Sequence, residues 1–353
     1  MSFTKLDATD FVVSIDSITA PAWSTGNPAL NNFYVASPTV TTNISQGAYY
    51  LNVYQSATTT AGSAVQFSIA YGHLLGSGSR YYNTLVPGVT PTLTTYKQYR
   101  TLVYGTALTS SNQGFNFGGL NTNSPDMFAI NIDRSRYKES LFPGTFNLRI
   151  SGPGGTVNLT DNSNDTSVIQ YLDCGRVYNI VSGSNGKAAT TAVPNQPGNG
   201  YTVSGSYGLF LPDIGTIILN PQALALNSGD GGVSFVIDTT PNGSTPYSNV
   251  NNTTLFTAIS NGAYFQLNSQ ESIASDYVFV RVKNNEYNYS TNPTFISGSG
   301  DLVFPTLINN PQTYITTVGL FNNSNELLAV AKMSRPLVKD FTKEALLRVK
   351  LDW

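Results

Sequence analysis

Alternation with a period of two residues constrains this chain more than any other feature, and it is clearest at the end. Leu347, Val349, Leu351 and Trp353 fall on one side, and Arg348, Lys350 and Asp352 on the other. In an extended chain successive side chains point to opposite faces, so this stretch predicts a half-buried strand and not an amphipathic helix. Upstream, Tyr314, Thr316, Val318 and Leu320 alternate with Ile315, Thr317 and Gly319. Asn322 to Asn325 then reads as a turn, because Asn tolerates positive φ and bonds its own backbone. Leu327 to Met333 returns as a second strand, and Pro336 is expected to break its pairing. The C-terminus is therefore expected to form a three-strand antiparallel unit, with "MSRPLVKDFTKEAL" as an exposed connection between its strands.

The same alternation recurs upstream in "AYYLNVYQS" (Ala48 to Ser56), "AVQFSIAYG" (Ala64 to Gly72), "LFPGTFNLRIS" and "YVFVRVKNNEYNYST". "GPGGTVNLTDNSNDTS" reads as a hairpin with a polar tip, "DCGRVYNIVSG" as an apolar run, and "SGSNGK" as a hairpin turn. "YGLFLPDIGTIILNP" holds Pro212 and Gly215, which predicts two short strands with a bend. "NPQALAL" after it reads as one helical turn, with Asn220 as N-cap and Pro221 at the first helical position. "YKQYRTLVYG" (Tyr96 to Gly105) is read as a strand. Short helical patterns are confined to part of Asp126 to Ser140, "TTLFTAIS" and "NSQESIASDY". Charged residues make up only 11% of the 353 residues, while aromatic residues make up 12%, with 21 Tyr against 2 Trp. Tyr, Thr and Val suit strands, and Asn and Gly suit the turns between them. The fold class expected is all-β or β-rich: a multi-domain, β-sandwich-like body with short helices. The aperiodic stretch Thr109 to Pro125 and the Gly-rich stretch near Asn227 divide it into segments 1–125, 126–226 and 227–353.

The chemistry the chain can support is narrow. A net charge of −2 leaves no basic excess to offset phosphates, so nucleic acid is not an expected partner. The N-terminus lacks the basic and apolar regions of a signal peptide, and no apolar run approaches the ~20 residues that span a bilayer, so no membrane partner is expected. Cys174 is the single cysteine, which excludes an intrachain disulfide and fits a reducing compartment; Leu172 and Val177 beside it predict a small buried hydrophobe. Asn43, Asn158, Asn164, Asn252 and Asn288 match the glycosylation pattern by chance in an Asn- and Thr-rich chain. His73 is the one histidine; no nucleophile elbow accompanies it, and it reads as a strand-end residue bonding backbone. One His and one Cys cannot build the usual zinc sites. The Asp161-x-Ser163-x-Asp165 spacing lacks the central Gly and terminal Glu of a calcium loop and reads as turn chemistry. Asp133 and Glu139 flank "RSRYK" and suggest a salt-bridged segment, not a carboxylate pair. No catalytic residue, cofactor or metal is expected, although exposed Tyr with Asn and Thr leaves a host glycan open as a ligand.

"FAINIDRSRYKESLFPGTFNLRIS", "LTDNSND", "GRVYNIVSGSNG", "YGLFLPDIGTIILNPQAL" and "TTVGLFNNSNELLAVAKMSRPLVKDFTKEALLRVKLDW" resemble stretches of structural proteins of contractile-tailed, T4-like phages of cyanobacteria. The likeness runs over roughly residues 96 to 353 and is strongest at the C-terminus. It implies a non-enzymatic virion subunit, most like a baseplate wedge component of the tail, made in the host cytoplasm and present in several copies among other virion proteins. A neck or capsid-decorating protein, or a tail protein that binds or cleaves host polysaccharide, is the alternative. Low charge with many aromatics agrees, since interface centres share that composition. Arg134, Arg136, Tyr137 and Lys138, concentrated in a chain with few charges, are the expected protein contact. Arg335 and Phe341, in the connection near the end, are expected to join it.

Overall fold

The computed structural model describes residues 4–35, 50–76, 92–105, 114–117, 124–189, 207–237, 250–290 and 293–352. Trp353, Asn43 and most of the Thr109 to Pro125 stretch lie outside them. The strands begin with β1 (Phe11–Pro21), β2 (Ala29–Leu30), β3 (Tyr34–Val35), β4 (Leu51–Tyr54), β5 (Val65–His73) and β6 (Asp126–Ile132). The middle gives β7 (Ser140–Leu141), β8 (Asn147–Gly152), β9 (Gly155–Asp161), β10 (Gln170–Leu172), β11 (Gly175–Ser184), β12 (Lys187–Ala188), β13 (Gly208–Leu211) and β14 (Thr216–Leu219). The last are β15 (Phe265–Gln266), β16 (Asn268–Val282), β17 (Thr313–Phe321), β18 (Leu327–Lys339) and β19 (Ala345–Asp352). The helices are α1 (Thr92–Tyr104), α2 (Pro221–Ala225), α3 (Val250–Gly262) and α4 (Thr306–Asn309). Strands hold 45% of the described residues and helices 17%, about twice the strand content of an average domain, so the chain is β-rich as expected.

The chain forms two compact units, Ile18–Glu271 and Met1–Ser17 with Ser272–Trp353. The expected divisions at 125 and 226 are not where these units part. β5 pairs with β6 from Phe67↔Ile132 to His73↔Asp126, so a ladder crosses the first boundary. β15 pairs with β8 across the second. Loop composition marks where the chain leaves a sheet; it does not reveal whether the next strand returns to the same one.

The larger unit is one antiparallel sheet in the order β2-β15-β8-β9-β11-β13-β14-β6-β5-β4-β3, curled into a half-barrel. Its central strands are apolar on both sides. On β6, Phe128, Ile130 and Ile132 join the larger core, while Met127 and Ala129 join a second one. On β14, Ile217 and Leu219 face the first core and Ile218 the second. A strand covered on both faces reads as a continuous apolar run, which is why "GTIILNP" shows no alternation. The sandwich-like body expected is realised as this curled sheet with a helix against each face. Leu255, Ala258 and Ile259 of α3 complete the larger core, which also holds Trp23, Phe67, Phe146, Phe210 and Phe265. Tyr96 and Val103 of α1 complete the smaller.

Helix α1 overturns the strand expected at Tyr96 to Gly105. Tyr96, Arg100 and Val103 are buried at helical spacing, and Gly72 on β5 makes room for them: a Cβ there would lie 2.8 Å from the backbone nitrogen of Tyr96. Asp126 to Ser140, expected to be partly helical, is strand β6 followed by a single 3₁₀ turn at Arg134–Arg136 and by β7. Other local readings hold. Asn220 caps α2, its side chain accepting from the Gln222 N–H at 3.1 Å with Pro221 next to it. β13 and β14 are joined through the bend Pro212–Ile214, and β11 turns into β12 through Asn185 at φ 53°. "TTLFTAIS" lies within α3.

In the smaller unit, β16 pairs with β19 from Ser275↔Asp352 to Val282↔Ala345, and β1 completes the sheet in the order β1-β16-β19. "NSQESIASDY" is therefore strand, because pairing with β7 at Ser269 and Gln270 and with β19 from Ser275 on outweighs a weak local helical pattern. Leu347, Val349 and Leu351 share one face with Val278 and Val280, as their alternation predicts. The three-strand C-terminal unit does not form. β17 and β18 make a two-stranded hairpin, and β19 leaves it to pair with β16. Pro336 interrupts the hairpin ladder without ending it: pairing stops at Lys332↔Thr317 and resumes at Leu337↔Ile315. An irregularity of this kind absorbs the missing N–H of a proline. The connection to β19 is thus only residues 340–344.

Lys339 closes the hairpin. Its ammonium is fully buried and donates to the Asn284 carbonyl at 2.9 Å, to Asn288 Oδ1 at 2.8 Å and to the Asp340 carbonyl at 2.8 Å. Three donors meet three acceptors. Lys339→Met is expected to lower the stability of this unit by about 2 kcal/mol, because relief from burying a charge offsets part of the lost charge-assisted bonds. Denaturant unfolding of the variant measures this, and an unchanged midpoint would show that the cage contributes nothing net.

Candidate functional site

The sequence directs attention first to the charged segment before β7. Asp133 caps the 3₁₀ turn, accepting from the Ser135 N–H at 2.9 Å and from its hydroxyl. The Arg134 guanidinium lies 4.7 Å from the centre of the Tyr137 ring and donates to the Tyr137 carbonyl at 2.5 Å. Arg136 donates to Ser135 Oγ, and Lys138 pairs with Glu271 at 2.6 Å on the surface. Arg134 and Lys138 are exposed and Arg136 half-buried. Tyr137 is not the surface anchor expected of it. It is 8% exposed and belongs to the larger core. It turns inward against Gly215, while Arg134 and Lys138 on either side of it turn out. Arg335 and Phe341 are exposed, but they lie in the other unit, Arg335 in the irregular part of β18 and Phe341 after it. The six residues are thus divided between the two units, four in the larger and two in the smaller.

The sheet does bring one chemically suggestive set together. His73 and Asp126 face each other across the β5–β6 ladder, and Ser124 Oγ donates to Asp126 Oδ1 at 3.3 Å and to its carbonyl at 3.0 Å. Tyr71 and Gln222 donate to the same carboxylate, each at 3.4 Å. Burial pushes the Asp126 carboxyl up to about 6, partly offset by these bonds, and burial pulls the His73 imidazole down to about 4. A serine–histidine–aspartate relay needs a histidine that accepts from the serine and donates to the acid. Here Nδ1 of His73 accepts from the Leu75 N–H at 2.9 Å and the serine donates to the acid directly. The hydrogen bonds run the wrong way for that chemistry, and serve to close the end of β5 and β6.

The Asp161 loop is also turned to structure. Asp161 is fully buried and takes the N–H of Gly144 at 2.9 Å and of Ser163 at 3.2 Å. Asp165 takes the N–H of Ala188 at 2.5 Å. Among the described residues no group of three or more His, Cys, Asp or Glu could hold a metal ion. Cys174 is buried, and burial raises its thiol pKa, as suits a small core residue.

The surface feature that sequence reading passed over is β1. Phe11 and Val12 are 50% exposed, Val13 67% and Ile15 71%, on a strand that ends its sheet. Tyr314, Leu327, Leu328 and Val330 of the β17–β18 hairpin are exposed as well. The signal was present in "DFVVSIDSI": an apolar run too dense for a solvent-facing edge strand, in a segment read only for targeting signals. Comparison with known protein families, curated proteins and solved structures finds no match to this chain.

Proposed function

We propose that this chain is a structural subunit that acts by assembly, in the tail baseplate of a contractile-tailed phage. The observation that carries assembly is the mismatch in the smaller unit between what is buried and what is exposed. Its buried apolar residues among those described are Val278, Val282, Leu307, Ala345 and Val349, while β1 and the hairpin carry larger ones into solvent. A two-stranded hairpin without a covering layer is marginal by itself, and an open apolar edge is a template for another chain. Contact with neighbouring subunits supplies the missing layer. The segments resembling phage tail proteins supply the particle. On this reading the chain works without catalytic residue or cofactor, among other virion proteins and in several copies.

Val13→Lys with Ile15→Lys tests the surface. The double variant is expected to keep the melting temperature of the isolated chain within about 2 °C, since exposed substitutions usually change stability by less than about 0.5 kcal/mol. It is expected to abolish incorporation into particles, read by mass spectrometry of purified tails. Wild-type chain missing from purified tails would overturn the particle, and incorporation of the variant at the wild-type level would overturn the surface.

A further inference from the structure

The outer face of the larger unit carries two adjoining open clefts of about 710 Å³ and 260 Å³, which share Asn158, Ser184 and Asn185 on their walls. The larger is rimmed by Lys187 and the smaller by Arg149, Tyr264 and Gln266. The chain has 20 acidic residues against 18 basic ones, yet no carboxylate lines either cleft among the described residues.

The hydrogen bonds fix which atoms the walls offer. Asn158 Oδ1 accepts from Arg149 Nε at 3.1 Å, so its Nδ2 is the end left over. Asn147 Oδ1 accepts from the Asn185 N–H at 2.7 Å, which makes its own Nδ2 the donor to Asn185 Oδ1 at 3.0 Å. Asn185 is thereby left with its Nδ2. Gln266 Oε1 accepts from the Tyr264 hydroxyl at 2.6 Å, leaving Nε2. Asn158, Asn185 and Gln266 each have the amide oxygen engaged by a neighbour, while their NH₂ groups make no hydrogen bond among the described residues. With the outer nitrogens of Arg149 and the ammonium of Lys187, these amide groups give the walls a set of cationic and amide N–H donors beside the hydroxyls of Thr156, Ser182, Ser184 and Ser228. The Tyr264 ring is half-buried, with the Arg149 guanidinium 5.5 Å from its centre.

From this geometry we infer that the clefts bind an acidic polysaccharide, a chain of uronic acid sugars. Its carboxylates suit Arg149 and Lys187, its hydroxyl oxygens accept from the amide groups, and the Tyr264 ring offers an apolar edge to a sugar ring. An open cleft on a sheet face admits a polymer from either end. The inference does not depend on the assembly reading.

Isothermal titration of the full chain with oligogalacturonate, oligoalginate and hyaluronan fragments tests it, beside a neutral dextran oligosaccharide and inorganic phosphate. At least one uronate oligomer is expected to bind at least ten-fold more tightly than the dextran, with affinity falling as salt rises. Asn158→Asp retains the oxygen that Arg149 bonds and replaces the free donor by a second carboxylate oxygen. It is expected to weaken that binding at least ten-fold with melting unchanged, and Lys187→Ala to weaken it by a smaller factor. Absence of binding by all three oligomers overturns the inference. So does equal affinity for dextran, which would mean a neutral-sugar surface, or full competition by phosphate, which would mean a general anion site. Unchanged binding by Asn158→Asp would place any binding elsewhere and overturn it equally.

Discussion

Tyr137→Ala is expected to destabilise the larger unit by about 3 to 5 kcal/mol, the range for removing a large buried aromatic side chain. The ring packs in the core that includes Leu141 and Phe210. It also lies against the backbone of Gly215, where a Cβ would come within 2.5 Å of its hydroxyl oxygen. Gly215 has φ 64°, so its lack of a side chain is required twice, by conformation and by the ring. Deleting the ring opens a cavity between β7 and the bend at Pro212–Ile214, and removes the surface on which the Arg134 guanidinium rests. Arg136→Ala, one residue away, is expected to cost less than about 0.5 kcal/mol, because its bonds are to the adjacent Ser135. Denaturant unfolding of both variants separates the roles. Near-equal effects would mean that Tyr137 is held loosely, contrary to its burial.

A second large effect is expected in the pH dependence of stability, where His73 and Asp126 act in opposite directions. His73 has its imidazole pulled down to about 4 from 6.5, so its contribution is complete above pH 6.5 and is lost as pH falls toward 4. Asp126 has its carboxyl pushed up to about 6 from 3.8, so its contribution is complete below pH 3.8 and is lost as pH rises through 6. Each shift corresponds to about 3 kcal/mol at full extent. Between pH 4 and 6 the two slopes nearly cancel in the native chain. Asp126→Asn leaves the histidine alone, and stability should fall by about 3 kcal/mol as pH drops from 6.5 to 4. His73→Gln leaves the acid alone, and stability should fall by a similar amount as pH rises from 4 to 6. Urea unfolding of both variants across pH 4 to 7 measures the slopes. Slopes of the same sign would show that the pair does not titrate separately.

Local chemistry was readable from the residues alone wherever a few neighbours settle the conformation. The Asn220–Pro221 start of α2, the bend at Pro212–Ile214, the Asn185 turn and the β17–β18 hairpin all follow from backbone preference and capping, which act over a handful of residues. The β-rich class followed in the same way, from alternation and from the surplus of Tyr, Thr and Asn. The strand face shared by Leu347, Val349 and Leu351 was legible before its partner was known.

What tertiary structure decided is every choice that rests on a distant residue. Tyr96 to Tyr104 carries strand-forming residues but is a helix because Gly72, on another element, lets it dock and bury Tyr96 and Val103. Asn268 to Tyr277 lost its helical pattern to ladders with β7 at Ser269 and Gln270 and with β19 from Ser275 on. β19 was expected beside the hairpin and paired instead with β16, since alternation fixes which face a strand buries and not which strand it meets. Tyr137 and its basic neighbours look alike in sequence as an exposed cluster, and only the position of Gly215 separates the buried ring from the charges around it. The donors along the clefts were likewise invisible, because which end of Asn158, Asn185 or Gln266 is free depends on bonds to Arg149, Asn147 and Tyr264. Sequence determines local geometry through short-range sterics and hydrogen bonding. Which surfaces are then covered, and which atoms remain to meet a ligand or a neighbour, is a property of contacts between residues far apart in the chain.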